Sequence, residues 1–255
     1  MSRGNGNGQW TSDEMMAVAA ARELSDDAVC FVGIGLPSTA ANVAWRMHAP
    51  NAVLIYESGC IGSRPDRLPA SIGDGVLAES AVANVGVVEI FSYWLQAGRI
   101  DVGFLGAAQI DRFANINTTV IGAYDAPSVR LPGAGGAPEI AANCGEVIIT
   151  LRHSRRAFVE ELDFVTSLGH GNGNGCREQL GLRGRGPSAV ISDLGVLRPD
   201  PTTKELVLTS VHPGVSVDGV RDATGWDLRV ADEVEVTRPP TLEELRVLRD
   251  LKAAS

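Results

Sequence analysis

The chain has 255 residues, of which 44% are hydrophobic and 21% charged, enough to bury one large core or two closely packed lobes. A net charge of −9 at pH 7 argues against nucleic acid or an anionic membrane as the main partner. No apolar run approaches the length of a membrane span and the start carries no apolar signal core, so the expected compartment is the cytoplasm.

Residues 1–10, "MSRGNGNGQW", have the composition of a disordered tail. Residues 11–255 show no linker and are expected to form one domain. Thr11 and Glu14 match a capping box, which predicts a helix to about Leu24. "AVCFVGIGLP" then reads as a strand ending in a glycine turn, "STAANVAWRMH" as a helix and "AVLIYE" as the next strand. This β–turn–α–β unit predicts an α/β fold: an open, mostly parallel sheet with crossover helices. Further strands are expected at "VGVVEIF", "VGFLGAAQI", "EVIITL", "DFVTSL", "SAVISDLGVL" and "KELVLTSV", some of them antiparallel. "GHGNGNG", residues 169–175, reads as a loop, and Thr241 with Glu244 caps a closing helix.

Cys30, Cys60, Cys144 and Cys176 form no CxxC pair and have no histidine cluster beside them, so no metal site is expected. A core of this size does not need disulfides, and reduced thiols are expected. "RHSRR", residues 152–156, is a basic cluster read as a solvated face, with reach to the phosphates of a nucleotide-containing ligand as the functional alternative.

Several stretches carry possible chemistry. Gly33 and Gly35 lie between a strand and a helix, where backbone amides meet an anion in dinucleotide-binding turns. Ser38 stands where that fingerprint has its third glycine, and a purely structural tight turn is the competing reading. Glu57 follows an apolar strand directly and is surrounded by Ser58, Gly59 and Gly62. That is either a solvated loop carboxylate or a nucleophile with room for a large substrate. Gln109, Asn115, Asn117 and Thr118 sit in a polar turn as neutral donors or as local Asx bonds. Gly133, Gly135 and Gly136 precede a helix expected from about Pro138, either as a connector or as an amide-lined oxyanion or phosphate loop.

Taken in order, "VGIGLP", "YESG", "GAAQID", "NINTT", "GAGGA" and "VISDLGVL" resemble the β subunit of family I coenzyme A transferases, glutaconate CoA-transferase type. The resemblance covers nearly all of residues 12–250 and implies the CoA-transferase (NagB/RpiA-like) fold. It implies that Glu57 is the nucleophile, passing through an acyl–glutamyl anhydride to a glutamyl-CoA thioester. It assigns backbone amides of the Gly135-Gly136-Ala137 loop to the oxyanion, Gly33 and Gly35 to the opposite wall, and Gln109 and Asn117 to substrate contacts. The coenzyme A thioester enters as substrate, with no tightly bound cofactor. An α subunit, in an α2β2 assembly with a large apolar interface, is the expected partner. Relatives often carry "SENG" where this chain has "ESGCIG". The same scaffold hosts CoA-thioester hydrolases, ring-cleaving enzymes and decarboxylases, and a non-catalytic structural subunit is a further alternative.

Overall fold

In the computed structural model, which describes residues 9–254, the chain opens as its capping box dictates. Thr11 Oγ1 accepts from the Glu14 amide at 3.2 Å and the Thr11 amide donates to Glu14 Oε2 at 2.8 Å. Helix α1 (Ser12–Ala21) follows and stops short of Leu24. Residues 1–8 of the expected tail lie outside the described residues. Trp10, also assigned to that tail, instead packs against the core.

Strand β1 (Val29–Phe31) passes through the glycine turn into helix α2 (Leu36–Met47). The helix begins at Leu36 because Pro37 occupies its first turn, where a missing amide costs nothing. Strand β2 (Val53–Ile55) turns back as β3 (Cys60–Ile61), followed by α3 (Gly75–Glu79) and β4 (Ala83–Asn84).

The next segment corrects the reading of "VGVVEIF" as a strand. It is helical: α4 (Val87–Glu89) runs directly into a π-helix over Ile90–Leu95. The Glu89 carboxylate accepts from the Gly86 amide at 2.8 Å and starts the turn, while Ile90 and Leu95 bury themselves five residues apart. The apolar run conceals that capping contact.

Strand β5 (Val102–Gly106) precedes two small hairpins, β6 (Gln109–Ile110) with β7 (Ile116–Asn117) and β8 (Val120–Ala123) with β9 (Ala126–Arg130). Helix α5 (Ala137–Asn143) leads to β10 (Glu146–Thr150). "DFVTSL" is not a strand; only an isolated bridge joins Ser167 to Ile116. Around that bridge the segment is held through a side chain rather than a backbone ladder: Thr166 Oγ1 accepts the Thr118 amide at 2.9 Å. The chain closes with α6 (Cys176–Gln179), β11 (Pro187–Ile191), β12 (Gly195–Pro199), β13 (Leu206–Val211), α7 (Val217–Asp222), β14 (Arg229–Val236) and α8 (Leu242–Ala253).

The main sheet among the described residues has ten strands in the order β14-β13-β12-β11-β10-β5-β1-β2-β3-β4. Its centre, β11-β10-β5-β1-β2, is all parallel. Antiparallel pairs extend it on both sides, through β11/β12 and β12/β13 on one and β2/β3 and β3/β4 on the other. Successive strand residues face opposite sides. Cys30, Leu54 and Ile148 therefore join the core under α1, α2 and α8, whereas their neighbours Phe31, Ile55 and Ile149 join the core under α5 and the π-helix.

The chain leaves β1 towards β2 on one side and later returns to β5 on the other. That places a topological switch at the carboxyl end of β1, where open α/β sheets bind their ligands. The Gly33–Gly35 turn and Glu57 are both carried by carboxyl ends of these central strands.

Candidate active site

Glu57 stands at the tip of the β2–β3 hairpin. The Tyr56 amide donates to Cys60 O and the Gly59 amide donates to Tyr56 O, both at 3.0 Å, so the loop is Glu57-Ser58-Gly59. Gly59 closes it at φ +104°, a conformation L side chains avoid, and a Cβ there would overlap the Val85 carbonyl oxygen. The strand end is anchored from below. Tyr56 is fully buried, and its hydroxyl accepts from Asn42 Nδ2 at 3.1 Å and lies 3.4 Å from Ser38 Oγ. Burial pushes the Tyr56 phenol up, so it stays protonated as a fixed post. Ser38 and Asn42 sit one turn apart on α2, a spacing that puts both on the face beneath the hairpin.

The Glu57 side chain is half-buried, and its carboxylate makes no hydrogen bond or ion pair within the described residues. Its wall is Gly136, at the N-terminus of α5. A Cβ on Gly136 would lie 3.3 Å from Glu57 Cδ and 2.7 Å from Phe91 Cζ. Three elements, the hairpin, the glycine loop and the π-helix, therefore converge on the carboxylate. Phe91 packs in turn on Phe31 of β1, with ring centroids 6.0 Å apart.

The glycine loop is held by β7–β8. Thr118 Oγ1 donates to Gly133 O and the Gly133 amide donates to Thr118 O, both at 2.8 Å. The amides of Gly135 and Gly136 donate to no described group. The Ala137 amide donates to Ala134 O at 3.0 Å, so of the three expected oxyanion donors only Gly135 and Gly136 are open.

Gly33 and Gly35 lie in the adjacent β1–α2 turn. A Cβ on Gly33 would stand 3.3 Å from Phe104 O of β5, and Gly35 caps α2 at φ +86°. Gln109 and Asn117 are not at the open surface of the site. Asn117 is fully buried, with Nδ2 donating to Gln109 Oε1 at 2.7 Å and to Val120 O at 2.6 Å. Gln109 Nε2 donates to Asp163 Oδ2 at 2.6 Å. These amides brace the hairpins behind the glycine loop, with their donors already occupied. Cys60 is buried, its Sγ 3.5 Å from Ser58 Oγ, and all four cysteines are free.

Phe91 is hidden from a sequence reading because its segment has the apolar pattern of a strand. Glu89, three residues after Gly86, is the one local signal for a helix there. In "RHSRR", Arg152 pairs with Asp13 at 2.6 Å and Arg155 donates to Asp222 O at 2.7 Å, as a surface cluster does.

Residues 13–223 match the family model described as coenzyme A transferase. The chain belongs to that family. The CoA-transferase chain is 59% identical over 244 residues to one of the subunits of 3-oxoadipate CoA-transferase from Pseudomonas knackmussii, covering 96% of itself and 94% of the relative. It superposes on the crystal structure of glutaconate coenzyme A-transferase from Acidaminococcus fermentans with a TM-score of 0.91, at 34% identity and 96% coverage of each chain. The crystal structure of the decarboxylase AibA/AibB matches with a TM-score of 0.81, at 26% identity and the same coverage. The large mixed sheet is thus the CoA-transferase fold, and this CoA-transferase chain has the helix–glycine loop–hairpin arrangement described above at one end of it. No helix among its described residues is long and apolar enough to cross a membrane.

Proposed function

We propose that this chain is the β subunit of a two-subunit CoA-transferase, and that it moves coenzyme A between an acyl-CoA and a carboxylic acid through a glutamyl-CoA thioester on Glu57. The observation that carries the reading is the half-buried Glu57 carboxylate, free of partners among the described residues and packed against Gly136. A carboxylate is a weak nucleophile in water, and orientation and partial desolvation are what it gains here.

In this scheme Glu57 attacks the thioester carbonyl, the C–S bond breaks and CoA leaves as thiolate. The open Gly135 and Gly136 amides receive the charge that builds on the carbonyl oxygen. The product is an acyl–glutamyl anhydride. The thiolate then attacks the Glu57 carbonyl carbon, the anhydride C–O bond breaks, and the donor acid departs as carboxylate. A second acid attacks the resulting glutamyl-CoA and reverses the steps. Binding of the remote CoA moiety supplies free energy for the strained anhydride stage.

The relatives' names carry the substrate proposal. 3-Oxoadipate and glutaconate are both dicarboxylic acids, so a short dicarboxylate is the substrate class, with 3-oxoadipate the first acceptor to try. The α partner and an α2β2 assembly rest on the same resemblance. Exposed apolar side chains beside the Glu57 hairpin support such a partner: Val82 is 79% exposed, Val88 75% and Tyr93 64%. Localisation in the cytoplasm is part of the same reading.

Mass spectrometry tests it. The complex of this chain with its α subunit, incubated with acyl-CoA alone, should gain the mass of CoA less water on the peptide holding Glu57. Glu57→Ala should abolish both adduct and transfer, and Glu57→Asp, withdrawn by one methylene, should lose on the order of a hundredfold. The likeness to a decarboxylase favours a second reading, lyase or hydrolase chemistry. Loss of CO2 or of free CoA to water without an acceptor acid, and no adduct, would establish that reading instead.

A further inference from the structure

The glycine-asparagine loop of residues 169–175 has no place in the scheme above, yet its first half is fixed by hydrogen bonds to buried groups. Asn115 holds it from inside: Oδ1 accepts the amides of Gly169 and Gly171 at 2.9 and 3.0 Å, and Nδ2 donates to Gly171 O at 2.8 Å. The His170 amide donates to Phe113 O at 2.8 Å. Gly171, at φ +65°, lies where a Cβ would collide with Cys176. Just beyond the loop, the first turn of α6 places Arg177 in the interior.

Arg177 is 5% exposed and pairs with no carboxylate among the described residues. Its guanidinium donates to backbone carbonyls alone: Gly169 O at 2.8 Å, Gly184 O at 2.8 and 3.0 Å, and Ala141 O at 2.9 Å, with longer contacts to Leu168 O and Ala142 O at 3.4 Å. Ala141 and Ala142 belong to the last turn of α5, whose carbonyls have no partner within the helix. A cation at a helix C-terminus is also favoured electrostatically. The other end of α5 is Gly136, where an added Cβ would lie 3.3 Å from Glu57 Cδ.

Helix α5 has only two turns, and it lies directly on β5. Residue 103 is glycine, and a Cβ there would stand 2.6 Å from Ile140 Cγ2 and 2.8 Å from Cys144 Sγ. So short an element on so close a seat moves as a unit. What fixes its last turn also fixes its first.

We infer that Arg177 is a positioning residue for the transfer reaction: by clamping the last turn of α5 to the 169–175 loop, it sets where the Gly135–Gly136 amides stand relative to Glu57. The inference rests on the Glu57 mechanism proposed above. A lysine has no planar fork with which to reach several carbonyls at once, so charge alone does not replace Arg177.

The test uses the complex with its α subunit. R177K should fold and assemble, lower kcat by about tenfold to a hundredfold, and leave KM for the acyl-CoA within about twofold. R177A should lose more than R177K. Amide hydrogen exchange in R177K should quicken over residues 136–144 and not over β1 and β2. R22A removes the Arg22–Glu244 ion pair at the far α1–α8 face and controls for general destabilisation; it should leave kcat unchanged. An R177K enzyme with wild-type kcat, or with kcat reduced but exchange over 136–144 unchanged, would overturn the inference. Failure of both Arg177 variants to assemble would assign Arg177 to folding alone and overturn it equally. Absence of the glutamyl adduct in the wild-type complex would instead sink the mechanism on which it rests.

Discussion

Gly136 leaves open the space against which the Glu57 carboxyl group rests. The backbone at Gly136 is helical, φ −83° and ψ −1°, so its angles do not require glycine. The requirement is contact: a side chain there would enter the gap between Glu57 Cδ and the Phe91 ring. Gly136→Ala should therefore fold with a loss of about 1–3 kcal/mol from overpacking. Transfer should fall far more than stability, on the order of a hundredfold, because displacement of Glu57 by about 1 Å is enough. Urea unfolding beside steady-state kinetics measures the two effects; a variant with normal kcat would show that the contact is not critical.

Gly59 presents the opposite case. Its φ of +104° and the overlap of any Cβ with Val85 O both exclude alanine. The Val85 amide donates to Gly59 O at 3.0 Å, so a shift there also loosens β4. Gly59→Ala should cost about 3 kcal/mol or more, combining backbone strain with steric overlap. Thermal unfolding checks it, and a shift in Tm of under ~2 °C would contradict the assignment.

Cys60 lies three residues after the nucleophile, buried in the core with its sulfur beside Ser58 Oγ. A buried thiol of this kind packs rather than reacts. Cys60→Ala should lose about 1 kcal/mol of stability and keep more than half of kcat. Loss of activity as complete as in Glu57→Ala would make Cys60 part of the chemistry.

His153 gives the protein an acid limit. Its ring stacks on Phe158 with centroids 3.5 Å apart, and its nitrogens lie 3.0 Å from Ser192 Oγ and 2.9 Å from Thr224 Oγ1. The backbone amide donates to Asp193 Oδ1. Burial pushes the imidazole pKa down to about 3 from an ordinary 6.5, and burial lowers those of His170 and His212 as well. Between those values the unfolded chain binds the proton and the folded one does not. Stability is thus fully present above about 6.5 and falls as pH drops towards 3, with a slope of up to ~1.4 kcal/mol per pH unit from His153. Urea midpoints at pH 7.5, 6.5 and 5.5 should decline in that order, and the decline should be shallower in His153→Gln. An equal slope in the variant would remove His153 as the cause.

The sequence by itself determined the elements whose signals are local. The Thr11–Glu14 and Thr241–Glu244 boxes cap real helices, because a cap is a contact between residues three apart. Apolar runs broken by glycine marked the parallel centre of the sheet, and an ordered set of short motifs identified the family. Glu57 stands out by its place between an apolar strand and small residues. The tertiary structure alone decided what surrounds that carboxylate. Phe91 bounds the same gap at Gly136 from a π-helix that an apolar run disguises as a strand. Gln109 and Asn117 have the look of free donors until Asp163 and the packed β6–β9 hairpins occupy their amides. Arg177, 120 residues along the chain from Glu57, acquires its place only when β5, α5 and the 169–175 loop are stacked together. Such contacts depend on three-dimensional closure of distant segments, and neither periodicity nor composition records which buried donor meets which carbonyl.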